Sequence, residues 1–355
     1  MFKIFGYSTL ILFFTNCQVN THQQNEQINT SFSLEDLEEP ILLRSESILT
    51  AESLFPRAVN LTRNFIVLAE HEADTLLSIY DRFSYVFVGK VGINGVGPGE
   101  IDVPWDVNSN LYSDFIWVNQ PQIKRYSGFD LAVPSVYSTS EIALQEGLKF
   151  ARDLVFASDT SFFAVTGTSS EKYEYYNLKG RKMGGIGSWY TRLPKDLPPH
   201  AAATLFQGQL RASPDLSHFV FASLKTDIID IIDANEKSIR TTSGPLNYME
   251  GYTLEQVGKY KRLVFQPEET YYMYTDIKLT ESKIYALFSG RTFNEVNYTK
   301  DQYNDLVIVF DYKGNMLHSY KLDQSIYGSL AVDEENGIFY GISFDDNPRL
   351  LSFRF

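Results

Sequence analysis

The chain has 355 residues and a formal net charge of −13, from 44 acidic against 31 basic side chains, with 44% hydrophobic and 15% aromatic content. That length allows one large domain or two, and the apolar content supports a full core. The acidic balance, without a cluster of lysine and arginine, excludes a phosphate backbone as ligand, so no nucleic-acid partner is expected. Twenty-three tyrosines and 26 phenylalanines suit pleated, half-buried surfaces and point to β structure.

Residues 1–16 read as a signal peptide. Lys3 is the only early charge, and the apolar run IFGYSTLILFF at 4–14 is shorter than the roughly 20 residues needed to span a bilayer. Cys17, the single cysteine, follows that run directly and is the expected lipidation site of a lipoprotein. Thr15 and Asn16 stand where small residues are usual, so the competing reading is a cleaved secretory signal with a chance cysteine. In the lipoprotein reading the mature chain has no free thiol and no internal disulfide. Residues 17–33 are polar and rich in Gln and Asn, which predicts a flexible tether. Residues 34–355 then form one domain, held at a membrane of the cell envelope by acyl chains and facing the periplasm or the cell surface.

From residue 57 onward a phrase of three short apolar strands separated by polar turns occurs six times, at 57–81, 105–127, 152–177, 211–233, 275–311 and 328–355. The second strands are expected to begin at Phe65, Phe115, Phe162, Phe219, Ile284 and Ile338. The period of roughly 50–65 residues suits propeller blades, and alternation of two excludes solenoid helices. A fourth strand follows in most units, at 85–92, 131–138, 238–243 and 315–322. The last unit stops after its third strand, and the apolar stretch EPILLRSES at 39–47 is expected to supply the missing one. The fold expected is therefore all-β, a six-bladed propeller whose last blade is closed by an N-terminal strand, leaving no sheet edge open.

The blade-one exit GVGPGEI at 95–101, the phrase YTDIKLTESKIYALFSGR at 274–291, and VIVFDYKGNMLHSYKLD at 307–323 followed by LAVDEENGIFYGIS together resemble the TolB-like six-bladed β-propeller lipoproteins of Bacteroidetes. The likeness runs from about residue 53 to 355. It implies the propeller fold and a cell-envelope location; the family is largely uncharacterised, so it implies no activity.

The candidate chemistry is sparse. The glycine-rich stretch 89–107 has no Lys-Ser or Lys-Thr after Gly99 and no helix to open, so it reads as a crossover between blades and not as a phosphate cradle. The five histidines show no ligand spacing, and no Gly-x-Ser-x-Gly elbow occurs. Asp106, Asp153 and Asp276 occupy equivalent positions at inner-strand starts and are expected to converge at the mouth of the central channel. There they would pair with arginines such as Arg57, Arg152 and Arg211, or, in the alternative reading, hold Ca²⁺ for a hydrolase or lactonase. No cofactor is expected outside that alternative.

The long connections 187–209, 244–274 and 289–305 fall on one face of the ring. Trp105, Trp189, Tyr190, Tyr252, Arg262, Tyr272 and Arg291 are the candidate partner-binding residues, because Trp, Tyr and Arg anchor recognition surfaces. Within the second connection, 253–265 is expected to form a short helix. The function that follows is a non-catalytic binding module for a protein, peptide or glycan of the envelope, with the competing interpretation that the loop aromatics only pack on each other.

Overall fold

The structure, a computed structural model, describes residues 28–48, 53, 55–104, 106–133, 135–189, 193, 197–249, 251–258, 260–265, 270–298 and 303–355. The expectations for residues 1–27, including Cys17, and for Trp105 and Tyr190 lie outside them. The architecture is an all-β propeller. The first three antiparallel meanders are Pro56–Leu61 to Phe87–Ile93, Asp106–Asn108 to Ser140–Ala143, and Asp153–Ser158 to Lys182–Ser188. A fourth runs from Gly208–Ala212 to Ser238–Ser243. An eight-stranded sheet follows. Its 18-residue strand Met316–Asp333 pairs through its first part with Asn304–Asp311 and through its second with Ile338–Ser343, so one continuous strand joins two successive meanders.

The second strands begin at Phe65, Phe115, Ser161, His218, Lys283 and Ile338, each within one residue of the sequence expectation. The physical reason is alternation: successive side chains of a strand point to opposite faces of the sheet, and here both faces are packed. Phe219 and Phe221 face the preceding sheet with Phe163 and Tyr173, whereas Val220 and Ala222 face the following one with Ile277 and Ile284. Ile284, Ala286 and Phe288 take one side of their strand, and Tyr285 and Leu287 the other. Repeated around the chain, this places one apolar cluster between each pair of consecutive meanders. A further cluster joins Val59, Leu61 and Ile66 of the first sheet to Tyr340, Ile342 and Leu350 of the last.

Residues 28–48 run along outer edges. Ile28–Ser31 pairs parallel with Ser238–Ser243, Ile41–Leu43 pairs parallel with residues 320–322, and Ser45–Ile48 pairs antiparallel with Leu350–Arg354. The end of the expected tether is thus a strand at 28–31: its backbone completes an otherwise open edge, and Thr30 bonds the Thr242 hydroxyl at 3.0 Å, a use that polar composition does not announce.

Two local expectations are corrected. The outer strand of the second meander lies at Ser140–Ala143, not at 131–138. The 131–138 segment instead crosses to the glycine-rich stretch, where the Gly92 amide donates to Val136 O and the Ser138 amide to Gly99 O. Residues 253–265 form a hairpin, Thr253–Val257 against Tyr260–Val264, not a helix. Gly258 sits at φ +60°, the left-handed conformation that a tight hairpin turn uses and a helix interior does not.

The cluster between the third and fourth sheets carries a close Phe–Phe contact across a sheet boundary, Phe163 to Phe219 with ring centroids 4.4 Å apart. Phe219→Ala is expected to lower unfolding free energy by about 3–5 kcal/mol, as for large core truncations. Phe163→Ala should cost a similar amount, and the double variant less than the sum because the rings share one contact. Urea denaturation of the three variants checks this; strict additivity would show that the sheets do not pack as described.

Candidate functional site

The inner strands bring Asp106, Asp153 and Asp276 together, from three different sheets, around a single cation from a fourth. The Arg211 guanidinium lies 3.0 Å from Asp106, 3.7 Å from Asp153 and 3.6 Å from Asp276. Lys278 adds a contact of 3.3 Å to Asp276. Burial works against the charge on Arg211, but Asp106, Asp276 and Asp153 outweigh it and raise its pKa. Burial, and then the neighbouring Asp106 carboxylate, push the Asp153 carboxyl above its ordinary value.

The carboxylates are also committed to the backbone. Asp153 accepts from the Leu154 amide at 2.8 Å and, through its other oxygen, from Leu210 in the next sheet at 2.7 Å. Asp276 does the same with Ile277 at 2.9 Å and Leu330 at 2.8 Å. A calcium ion needs six to eight oxygen ligands, and here four of the six carboxylate oxygens already serve amides while a guanidinium holds the centre. These residues do not fit Ca²⁺; of the two sequence readings, the geometry is that of the ion-pair cluster.

Above this cluster the channel opens into a cavity of about 970 Å³. Its walls include Asn60, Val107, Val155, Arg211, Lys278 and Ala331, one residue from each inner strand. Trp117, Tyr126 and Phe156 form an aromatic side, with Trp117 stacked on Tyr126 at 5.3 Å and 6°. Tyr126 is fully buried, its hydroxyl has no hydrogen-bond partner among the described residues, and burial, with the charges of Asp106 and Asp153, raises its pKa well above the ordinary value. Asn60 is 5% exposed. The mouth is made of turns between first and second strands, including Arg63, Asn110, Tyr112, Asp159, Leu216 and Glu281.

In an antiparallel meander the turn after the first strand and the turn after the second lie at opposite ends. The cavity therefore opens on the face away from the long connections, and Trp189, Tyr252 and Tyr272, the described aromatic residues singled out from sequence, do not line it. Trp189 is 1% exposed, packed with Phe206 in the cluster beneath its loop. Tyr252 is half-buried against the same cluster. Arg262 pairs with Glu255 across its hairpin at 3.0 Å, and Tyr272 packs on Phe293 and Tyr303 while lying opposite Arg291 in register. Tyr and Trp in long loops here supply local cores, and the structure does not gather them into one surface.

The glycine-rich stretch carries its own anions. The Gly97 amide donates to Glu100 at 2.8 Å and the Gly99 amide to Glu141 at 3.1 Å, while Arg125 holds the carbonyls of Val96 and Gly97. A Cβ on Gly95 would lie 2.1 Å from the Glu100 carboxylate, so the space beside this glycine is occupied by that folded-back side chain.

One serine, histidine and aspartate do meet. Ser217 Oγ lies 2.8 Å from His218 Nδ1, and His218 Nε2 lies 3.8 Å from Asp233. Yet Ser217 donates to Asp215 at 2.8 Å, the His–Asp separation exceeds a hydrogen bond, and the His218 ring stacks on Tyr312 at 4.3 Å. This arrangement closes a turn and lacks a relay for nucleophilic attack.

The residues that sequence reasoning missed are Asn60, Trp117, Tyr126 and Phe156. Their signal was present, since all lie on first, second or third strands of recognised repeats, but which alternate face turns to the channel is set by the tilt of each sheet.

Compared with known proteins, the chain matches the TolB-like 6-blade propeller-like family over residues 43–335. No curated protein matches it. A candidate exported protein of Bacteroides fragilis has a similar structure, with a TM-score of 0.54 at 11% identity, covering 93% of this chain and 99% of that one. A DUF4221 member of Bacteroides vulgatus is similar at a TM-score of 0.50 and 14% identity, covering 87% and 98%. At these identities the likeness is one of fold.

Arg211→Met is expected to destabilise the protein by about 3–5 kcal/mol at pH 7, the usual cost of leaving buried charge without its partner. The loss should be smaller at pH 5. Asp153 is raised in the folded state, so the native chain takes up a proton as pH falls through that value, before the unfolded chain does, which relieves the repulsion. Guanidinium denaturation of both proteins at the two pH values measures this; an equal loss at both would contradict the cluster's electrostatics.

Proposed function

We propose that this chain, which belongs to the TolB-like 6-blade propeller-like family, is an exported, non-catalytic binding protein that takes a neutral glycan segment in its central cavity. The carrying observation is the chemistry of that cavity. The cations of its inner wall are spoken for: Arg211 and Lys278 by three carboxylates, and Arg82 by Asp333 at 3.1 Å. Among the wall residues left to bind a ligand is the neutral Asn60 carboxamide, which both donates and accepts, beside aromatic rings. Such a wall suits a molecule with many hydroxyls and apolar ring faces. An extended peptide would seek strand edges, but at three inner strands the amides of Leu210, Leu330 and Val59 are already bonded across to neighbouring sheets.

Export and anchoring belong to the same proposal. They rest on the signal-like residues 1–16 and on Cys17, and the candidate exported neighbour from Bacteroides fragilis is consistent with them. No described helix is long and apolar enough to cross a membrane. Six blades in a closed ring, with Ser45–Ile48 as the outer strand of the last, is likewise the reading we adopt. It is supported by the pairing of that strand with Leu350–Arg354, and by the bond from the Val59 amide to Ser329 Oγ at 3.1 Å between the last inner strand and the first.

Two outcomes test this. Short neutral oligosaccharides at about 100 times their dissociation constant are expected to stabilise the protein by about 2.7 kcal/mol and to shift tryptophan emission. Asn60→Leu should abolish both effects. A panel without effect, or one acting equally on Asn60→Leu, would contradict the cavity as the site; stabilisation by uncharged peptides alone would contradict the glycan assignment. A chain beginning at residue 49 should expose the edge of Leu350–Arg354 and associate in size-exclusion chromatography. A monomer with unchanged melting would contradict closure by the N-terminal strand.

A further inference from the structure

We propose that Tyr112 and Glu281 form a gate across the mouth of the central cavity, and that a ligand enters only when their contact is broken. The inference rests on the cavity being the binding site.

The observation is one hydrogen bond in an unusual place. Tyr112 lies on the connection between Asp106–Asn108 and Phe115–Gln120, and its hydroxyl donates to the Glu281 carboxylate at 2.6 Å. Glu281 lies in the turn between Tyr271–Leu279 and Lys283–Thr292. Counted along the chain, two complete meanders, 153–188 and 208–243, separate these turns. Both residues line the cavity mouth, so their contact spans it. The donated bond to Glu281 pushes the Tyr112 pKa up to about 12, with smaller contributions from burial, from Glu281's charge, and from Glu334 and Asp215. Those last two sit on first-to-second-strand turns of two further meanders, 334–337 and 213–217, and Glu334 lines the same cavity.

The length of the 109–114 connection makes this reach feasible, since it is the longest of the first-to-second-strand turns among the described residues. Its base is fixed. Asp114 accepts from Thr62 Oγ1 at 2.9 Å, from the Asn64 amide at 2.9 Å and from Asn64 Nδ2 at 2.7 Å, and Arg63 bonds the Tyr112 carbonyl. Leu111 packs on the cluster joining the first and last sheets. The tip differs: Tyr112 is 50% exposed, and among the described residues Glu281 is the one hydrogen-bond partner of its side chain. A fixed base and a tip held by one solvent-exposed bond make a bar that rotation of two side chains can open, without moving the backbone. At the other end Arg211 and its carboxylates converge on the axis of the channel.

The test needs no ligand, so it fails independently of the glycan reading. In a Cys17→Ser background, Ala212→Cys places a thiol in the cavity wall, and Met183→Cys, at a site 56% exposed on an outer strand, serves as control. Tyr112→Phe and Glu281→Gln are each introduced, and labelling by a small and a bulky maleimide is timed. The gate predicts that Tyr112→Phe speeds bulky labelling of the cavity thiol several-fold, that Glu281→Gln does so to a lesser degree because it keeps an acceptor, and that the control thiol is unchanged. Equal cavity rates in parent and variants would overturn the gate. So would parallel acceleration at the control position, which would report general loosening.

Discussion

A propeller leaves the inner edge of every sheet without a neighbouring strand, and each amide there must find a partner or stay exposed to the channel. In this chain side chains from adjacent sheets provide those partners. Asp153 binds Leu210 in the following sheet, Asp276 binds Leu330, and Ser329 binds Val59. The two aspartates also accept from the residue after themselves, so each carboxylate fixes its own inner strand and the next meander at once. Arg211 then neutralises the charge this solution concentrates on the axis. The pairing of the inner cations and the poor fit to calcium both follow from that one arrangement.

A second buried ion pair fastens sheets further out. Lys172 meets Asp230 at 2.6 Å, and Tyr173 and Thr241 donate to the same carboxylate. Burial works to raise the Asp230 pKa, but Lys172 and these donors hold it below its ordinary value. The Lys172 ammonium also lies 4.5 Å from the centre of the Phe206 ring and 5.8 Å from that of Trp189. Trp189 therefore shapes the environment of a structural charge, which accounts for a buried tryptophan in a long connection better than a role in recognition does.

Much of the fold was legible because alternation is written into every strand, and a strand buried on both faces, such as Phe219–Ala222, must serve two clusters. The convergence of Asp106, Asp153 and Asp276 was legible too, since equivalent repeat positions meet on the axis. The arginine at the centre was one of three candidates in the sequence. Arg57 and Arg152 hold similar repeat positions, but the Arg57 guanidinium turns to Tyr327, while Arg152 bonds the His200 carbonyl and the Thr204 hydroxyl. The cavity and its gate were not legible, because contact between Tyr112 and Glu281 depends on ring geometry that no local pattern encodes. Loop composition misled for a related reason: aromatic content marks what a loop packs on as readily as what it binds.

The measurement that bears most directly on this account is native-state hydrogen exchange at the amides of Leu210 and Leu330. Both belong to inner-edge strands and donate to carboxylates of a neighbouring meander, not to a strand partner. If Asp153 and Asp276 hold the ring together, these two amides exchange only through global unfolding and fall in the slowest class of the protein. Exchange at the rate of exposed turn amides would contradict the claim that the axial carboxylates are what the sheets are assembled on.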